Sequence, residues 1–311
     1  MKIYTSIQEF THPYKTIVTL GTFDGVHNGH KRILDKLMRS TKTTGYQNVV
    51  LTFFPHPRMV LQQNTDIRLL NTINEKAFLL DEYGIDNLIV HPFDHAFSRL
   101  TAEDFVKDIL VDKLNIHKII IGHDHRFGRN RTATIYDLIR FGEEYGFEVE
   151  EISAFEINEV SVSSTKIRNA LTEGNIEKAN KYLGYPYFIT GTVVKGRQMG
   201  RTIHYPTANI SVSEDYKLIP ANGVYIVTAL VNGKQEQGMM NIGNNPTVGG
   251  DKRSIEVHLF NFDEDIYDAT VKVSIHQKIR DEIKFESVND LKVQLDKDKQ
   301  LSLHYFNNTN A

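Results

Sequence analysis

The sequence predicts an α/β protein in two parts, a doubly wound parallel sheet followed by a small antiparallel β-barrel with a long C-terminal helix. Three observations carry that expectation. Through Leu183, short β-branched or apolar runs alternate with amphipathic stretches, the pattern of a parallel sheet with crossover helices. Beyond Pro186 the period changes to short β runs alone, which points to a barrel. At the first strand-to-helix junction stands Gly21-Thr22-Phe23-Asp24-Gly25-Val26-His27-Asn28-Gly29-His30, a glycine-rich elbow whose backbone can lie close against a ligand.

Each element has its own signal. Thr16 to Leu20 is apolar and β-branched, short enough for a buried strand, and Ile33, Leu34, Leu37 and Met38 then share one helical face up to Gly45. Val49 to Phe54 is a second strand, closed by Pro55-His56-Pro57; His56 is either a loop histidine or a cleft residue. Asn74 to Tyr83 reads as helix ending at Gly84, Asn87 to Val90 as strand, and Thr101 to Leu114 as helix with Thr101 and Asp104 at capping-box spacing. Lys118 to Ile121 and Phe147 to Ile152 complete the strands of this part. Ser163, Ser164 and Thr165 can cap the helix that Ile167 and Leu171 continue, and Asn175 to Leu183 is a last short helix. Gly184-Tyr185-Pro186 reads as the boundary, giving domains of 1–184 and 185–311.

In the second part the β runs are Tyr187 to Val194, Gly223 to Val231, Glu236 to Ile242, Ser254 to Phe260 and Ala269 to Ile279. Val231-Asn232-Gly233-Lys234 is a type I′ hairpin signal. One helix, from Ser287 to about Asp298, has Ser287 and Asp290 at capping-box spacing.

Composition narrows the function. With 36 Lys+Arg against 39 Asp+Glu and a net charge of −3, no basic field points to nucleic acid or to a membrane surface. The absence of Cys excludes a disulfide framework and thiolate chemistry and suits a reducing cytoplasm. No run approaches the ~20 apolar residues of a membrane span, and the start MKIYTSIQEF lacks a signal-peptide core. Small-molecule chemistry in the cytoplasm is the expectation.

The elbow suits anions, because a helix N-terminus aims free N–H groups and a positive dipole end at the cleft, beside His27 and His30 as phosphate donors. Two surface histidines or two metal ligands are the competing readings; zinc fits poorly without Cys and with a glycine between the imidazoles. Gly122 to Arg131 is another strand-end loop, in which three arginines beside Asp124 suit phosphates as well as a salt-bridged turn. Gly196-Arg197-Gln198-Met199-Gly200-Arg201-Thr202 is a flexible cationic loop, a solvated turn or a nucleotide loop, and it leads into Tyr205-Pro206-Thr207-Ala208-Asn209-Ile210. The loop has no GxxxxGK[ST] pattern, so an ATP site here is of another type.

The string GTFDGVHNGH resembles the HxGH signature of nucleotidyltransferases, in the form carried by bacterial FMN adenylyltransferases, and PTAN at Pro206–Asn209 resembles the signature of riboflavin kinases. The likeness continues through Asn222-Gly223-Val224-Tyr225, Asn241-Ile242-Gly243-Asn244-Asn245-Pro246-Thr247 and Glu256-Val257-His258-Leu259-Phe260-Asn261-Phe262, in the expected order over almost the whole chain. The chain is therefore similar to the bifunctional riboflavin kinase/FMN adenylyltransferase family, the prokaryotic FAD synthetases. That resemblance implies a Rossmann-like nucleotidyltransferase sheet and a six-stranded riboflavin-kinase barrel. It implies ATP and Mg²⁺ as co-substrate and metal, riboflavin and FMN as substrates, and FMN and FAD as products with no permanently bound cofactor.

By the same resemblance, Glu256 is the catalytic base of the kinase, and Thr207 and Asn209 hold Mg²⁺. His27 and His30 serve adenylyl transfer, with Gly21, Thr22, Phe23, Gly29, Ser163, Ser164, Thr165 and Arg168 around the nucleotide, and Gly196, Gly200 and Arg201 around the kinase's ATP. Asp124, Arg280 and Glu282 hold flavin. The sequence departs from the family pattern at His125, where Phe is usual, at Ala133, where Gly is common, and at His204-Tyr205, where Gly-Phe precedes PTAN. Two other readings stay open at this point: a flavin-sensing or RNA-binding module that keeps the enzyme's shell, and an adenylyltransferase whose barrel only docks.

Overall fold

The computed structural model describes the chain except residues 12, 63–65, 124, 154–161, 197–199, 201–202, 248–249 and 310–311, and at 245–247, 250–252 and 309 it describes the backbone alone. The chain forms two compact units, Met1–Ser164 and Thr165–Ala311.

The first unit is built on a six-stranded sheet of β1 (Lys2–Tyr4), β2 (Thr16–Leu20), β3 (Gln47–Phe54), β4 (Asn87–Pro92), β5 (Ile116–Gly122) and β6 (Glu148–Ile152). All pairings are parallel, in the order β1-β4-β3-β2-β5-β6. Every residue of β2 is buried, as a strand covered on both faces requires. Its side chains alternate: Val18 and Leu20 join one core with Phe105, Ile109 and Phe141, while Ile17 joins the other with Leu34, Leu37 and Leu80.

The helices are α1 (Asn28–Thr44), α2 (Pro57–Leu61), α3 (Ile73–Glu82), α4, and α5 (Ile135–Tyr145). In α4 the first turn, Ala102–Asp104, carries the expected Thr101–Asp104 capping box, and the helix then widens into a π-helix over Phe105–Val111. That wider turn buries two neighbouring pairs four residues apart, Phe105/Ile109 and Val106/Leu110.

The strand order has a consequence for function. From β2 the chain winds outward through β3 to β4, then returns to the other side of β2 for β5 and β6. The switch point therefore lies between β2 and β5, and an open α/β sheet binds ligands beyond the carboxyl ends of its strands at such a point. The glycine elbow follows β2, and the Gly122–Arg131 loop follows β5.

The division between the units falls at the start of α6 (Ser164–Thr172), and α7 (Ile176–Leu183), capped by Asn175 and ended by Gly184 in the left-handed conformation, follows it. A closed antiparallel barrel follows, from β7 (Tyr187–Val194), β8 (Ala208–Ser211), β9 (Gly223–Val231), β10 (Lys234–Thr247), β11 (Gly250–Leu259) and β12 (Thr270–Arg280), in the order β10-β11-β8-β7-β12-β9. The hairpin at Asn232-Gly233 has φ of 49° and 80°, as a type I′ turn needs.

Five elements differ from the sequence reading. β1 carries no pattern because Ile3 is 55% exposed on a three-residue edge strand. β8 was hidden in a proline-led polar stretch. β10 and β11 run past their apolar segments, paired as far as Thr247 and Gly250, where the residues are polar and alternation gives no signal. The C-terminal helix α8, Val288–Thr309, extends a further three turns beyond the expected end near Asp298. Its continuation buries Leu303 and Phe306 against Tyr205, Ile226, Met239 and Phe260, a tertiary contact that no capping signal announces.

Candidate active sites

In the first unit, the elbow between β2 and α1 adopts a conformation that ordinary sequence resists. Phe23, Gly25 and Val26 have φ of 45°, 92° and 36°, and non-glycine residues in this region cost on the order of 1–3 kcal/mol each. The surroundings hold it. The Val26 N–H donates to the Phe23 carbonyl at 3.2 Å, and the buried Asp24 carboxylate accepts from the Leu70 N–H at 2.9 Å. The Thr22 carbonyl accepts from Lys76 Nζ at 2.8 Å and from the Thr52 hydroxyl at 3.2 Å, and Ser164 donates to the Asp24 carbonyl at 2.9 Å.

His27 is the N-cap of α1: its Nδ1 accepts from the His30 N–H at 3.3 Å, so the neutral ring carries its proton on Nε2. The two imidazoles stack with centroids 3.7 Å apart at 13°, and the Phe23 ring lies 5.0 Å from His30. His30 Nδ1 is enclosed and makes no hydrogen bond. Burial first, then His27 and Lys76, hold the His30 imidazole well below its ordinary range, so it is neutral at physiological pH. Two imidazole N–H donors at a helix N-terminus, with buried Gly29 between them, can stabilise phosphate charge.

Of the other residues expected here, Gly21 packs against the Phe23 ring, where a Cβ would come within 3.3 Å. Ser163 and Thr165 are exposed, and Arg168 is half-buried. Asp124 lies outside the described residues. His56 is the N-cap of α2 and accepts from the Arg58 N–H at 3.1 Å, which gives it a structural role. Lys76 escaped the sequence reading although a signal exists: a lysine four residues before buried Leu80 lies on the apolar stripe of α3.

In the barrel, strand register brings the second set together. Glu256 of β11 pairs with Asn209 of β8 on one side and Asn241 of β10 on the other. The Thr207 hydroxyl donates to Glu256 Oε2 at 3.3 Å. Gly196 lies so close to Asn209 that a Cβ there would overlap its amide. The Gly200 carbonyl accepts from the N–H groups of Ile203 and Tyr205 at 3.2 and 2.8 Å, while Arg201 lies outside the described residues. The segment is fixed by Tyr205, whose hydroxyl meets Asp296, and by buried His258, whose Nδ1 bonds the Pro206 carbonyl at 2.8 Å. Burial pushes the His258 imidazole down, so it donates to that carbonyl as a neutral ring. A cavity of about 570 Å³ opens beside Thr207 and His204, between the apolar Val193, Leu259 and Phe262 and the acidic Asp263, a size suited to a nucleotide or similar ligand.

Arg280 ends β12, and Glu282 follows it in the chain. Glu282 accepts from the Asn222 amide at 3.3 Å. Arg280 grips Asp298 of α8 with two nitrogens, at 2.8 to 3.1 Å, and Asp298 is 0% exposed. Its guanidinium therefore pins the C-terminal helix to β12. Removing one member of a buried pair typically costs ~3–5 kcal/mol, because the partner is left charged and dry. Arg280→Met should accordingly loosen α8, read as faster amide exchange in β12 and α8, and the Arg280→Met/Asp298→Leu double variant should recover most of the loss.

Among the described residues, no group of three or more His, Asp or Glu could hold a metal. The Thr207 hydroxyl just before β8, Asn209 in register opposite Glu256, and the Glu256 carboxylate instead offer hard oxygen donors, the ligand chemistry that Mg²⁺ favours.

The model of the FAD synthetase family matches residues 9–166, and the model of the riboflavin kinase family matches residues 183–306. The chain is 41% identical to the bifunctional riboflavin kinase/FMN adenylyltransferase of Buchnera aphidicola subsp. Schizaphis graminum, over 93% of this chain and 94% of the relative. It is 39% identical to the protein of the same name from Listeria monocytogenes, over 93% and 92%, and 36% identical to that from Escherichia coli K12, with the same coverage. A crystal structure titled as a macrolide-efflux protein from Streptococcus pneumoniae superimposes with a TM-score of 0.88 at 32% identity, covering 97% of this chain and 98% of that one. Among the described residues of the present chain, no helix is long and apolar enough to cross a membrane.

Proposed function

The chain belongs to the bifunctional riboflavin kinase/FMN adenylyltransferase family, and from that premise we propose that its two reactions run on two separate sets of residues. The enzyme phosphorylates riboflavin with ATP to give FMN and adenylylates FMN with a second ATP to give FAD and pyrophosphate. We assign adenylyl transfer to residues 1–184 and the kinase to residues 185–311.

In the kinase, Glu256 takes the proton of the ribityl 5′-hydroxyl as that oxygen attacks the γ-phosphorus of ATP, and ADP leaves. The carrying observation is the Thr207 hydroxyl bonded to Glu256 at 3.3 Å, with Asn209 in register beside it. Thr207 and Asn209 would hold Mg²⁺, which supplies charge neutralisation at the phosphates. Gly196, Gly200 and Arg201 line the ATP loop. Arg280 serves flavin binding by fixing the segment that ends in Glu282.

In adenylyl transfer, an FMN phosphate oxygen attacks the α-phosphorus of ATP and the bond to the bridging oxygen breaks, releasing pyrophosphate. A phosphate monoester is already ionised, so no general base is required. His27 and His30 donate to the charge that develops, Gly21, Thr22, Phe23 and Gly29 give the backbone surface, and Ser163 and Ser164 supply hydroxyls for the triphosphate. Asp124 contributes to the flavin side.

Incubation with riboflavin, ATP and Mg²⁺, followed by chromatographic separation of the flavins, tests this reading. FMN should rise and then give way to FAD. Flavin bound without turnover of ATP would sink it.

A further inference from the structure

We propose that Lys76 is a positioning residue of adenylyl transfer: its buried ammonium holds the elbow through the Thr22 carbonyl and sets a fixed positive charge close to His30. The inference rests on the assignment of the elbow to adenylyl transfer. Lys76 is 3% exposed, on the face of α3 that packs on the sheet. Its Nζ donates to the Thr22 carbonyl at 2.8 Å and lies 3.5 Å from the Thr52 hydroxyl of β3. One cation thus ties α3 and β3 to the residue that opens the elbow, 54 positions away in sequence.

A buried ammonium is costly unless it is paired or hydrogen-bonded. The charged and titratable groups that act with it are Asp24 in the elbow and His30 at the start of α1; Glu75, its neighbour in the chain, spends its carboxylate on the capping box with Thr72. Asp24 favours the ammonium, while burial outweighs it and brings Lys76 down to about 8. The ammonium is therefore charged through neutral pH and discharges just above it. The Lys76 charge in turn disfavours an imidazolium at His30. Had His30 been cationic in the free enzyme, a nucleotide would bind it tightly in the ground state as well as the transition state. A neutral donor avoids that.

The test compares Lys76→Arg and Lys76→Met with His30→Ala in the full-length enzyme, assaying FAD formation from supplied FMN across pH 6 to 10. Wild type should lose activity through an alkaline limb near pH 8. Lys76→Arg should abolish that limb, because a guanidinium stays charged. Lys76→Met should reduce adenylyl transfer roughly 10- to 100-fold, the scale of a small misplacement of reacting groups, lack the limb, and shift the His30 imidazole titration upward by NMR. Riboflavin phosphorylation in the same chain should keep its wild-type pH profile. If Lys76→Met proves misfolded by circular dichroism, Lys76→Arg decides through the alkaline limb. Wild-type pH profiles in both lysine variants, with His30→Ala still inactive, would overturn the role of Lys76 and leave the elbow assignment standing. Full adenylyl transfer in His30→Ala would overturn the assignment itself.

Discussion

Glu256→Gln should reduce FMN formation from riboflavin by ~10² to 10⁴, the loss expected when a general base is removed. The glutamine is nearly isosteric, so it can still accept the hydrogen bond from Thr207 and preserve the pairing of β11 with β8 and β10. What it cannot do is take a proton. FAD formation from supplied FMN should persist at the wild-type rate, because that reaction uses the elbow of the other unit. If Glu256 were merely a carboxylate on a barrel strand, riboflavin phosphorylation would be unchanged.

His30→Ala should have the opposite effect: adenylyl transfer falls by ~10² to 10³, the typical loss of one charge-stabilising donor, while riboflavin phosphorylation continues and FMN accumulates. The methyl group removes the ring that stacks on His27 at 3.7 Å and leaves the His30 N–H that His27 caps. The helix start should therefore survive. Since the imidazole is already held well below its ordinary range by burial and by its cationic neighbour, the wild-type rate should also show no acid limb near pH 6.5 from His30. Below that pH the ring would resist protonation until its lowered value is reached.

Much of this architecture is legible in the sequence because local rules and tertiary demands agree. Thr16 to Leu20 is apolar throughout because both faces of a central parallel strand are covered. Thr101 and Asp104 cap a helix by themselves, and Asn232-Gly233 fixes a hairpin through backbone conformation alone. The elements that escaped depend on partners far away in sequence. β1 is an edge strand without alternation, and the later turns of α8 exist because Phe306 finds Tyr205 and Phe260.

The sites divide the same way. His27 and His30 can be chosen from their spacing, but their stacking is a feature of the folded elbow, and the neutrality of His30 comes from burial first, then from His27 and Lys76. The meeting of Glu256, Thr207 and Asn209 is a matter of strand register, which one sequence does not display; the resemblance supplied those residues and the pairing explains their proximity. Arg280 shows the reverse case. The resemblance assigns its segment to flavin, and its guanidinium is held by Asp298, whose burial becomes visible only once α8 is folded against β12.

Mixing the two single-site variants tests the central claim most directly. Glu256→Gln and His30→Ala, each alone with riboflavin, ATP and Mg²⁺, should produce almost no FAD, whereas an equimolar mixture should produce it, as FMN made by one chain is adenylylated by the other. A mixture that stays as inactive as its components, each variant having lost both reactions, would contradict two independent sites on one chain.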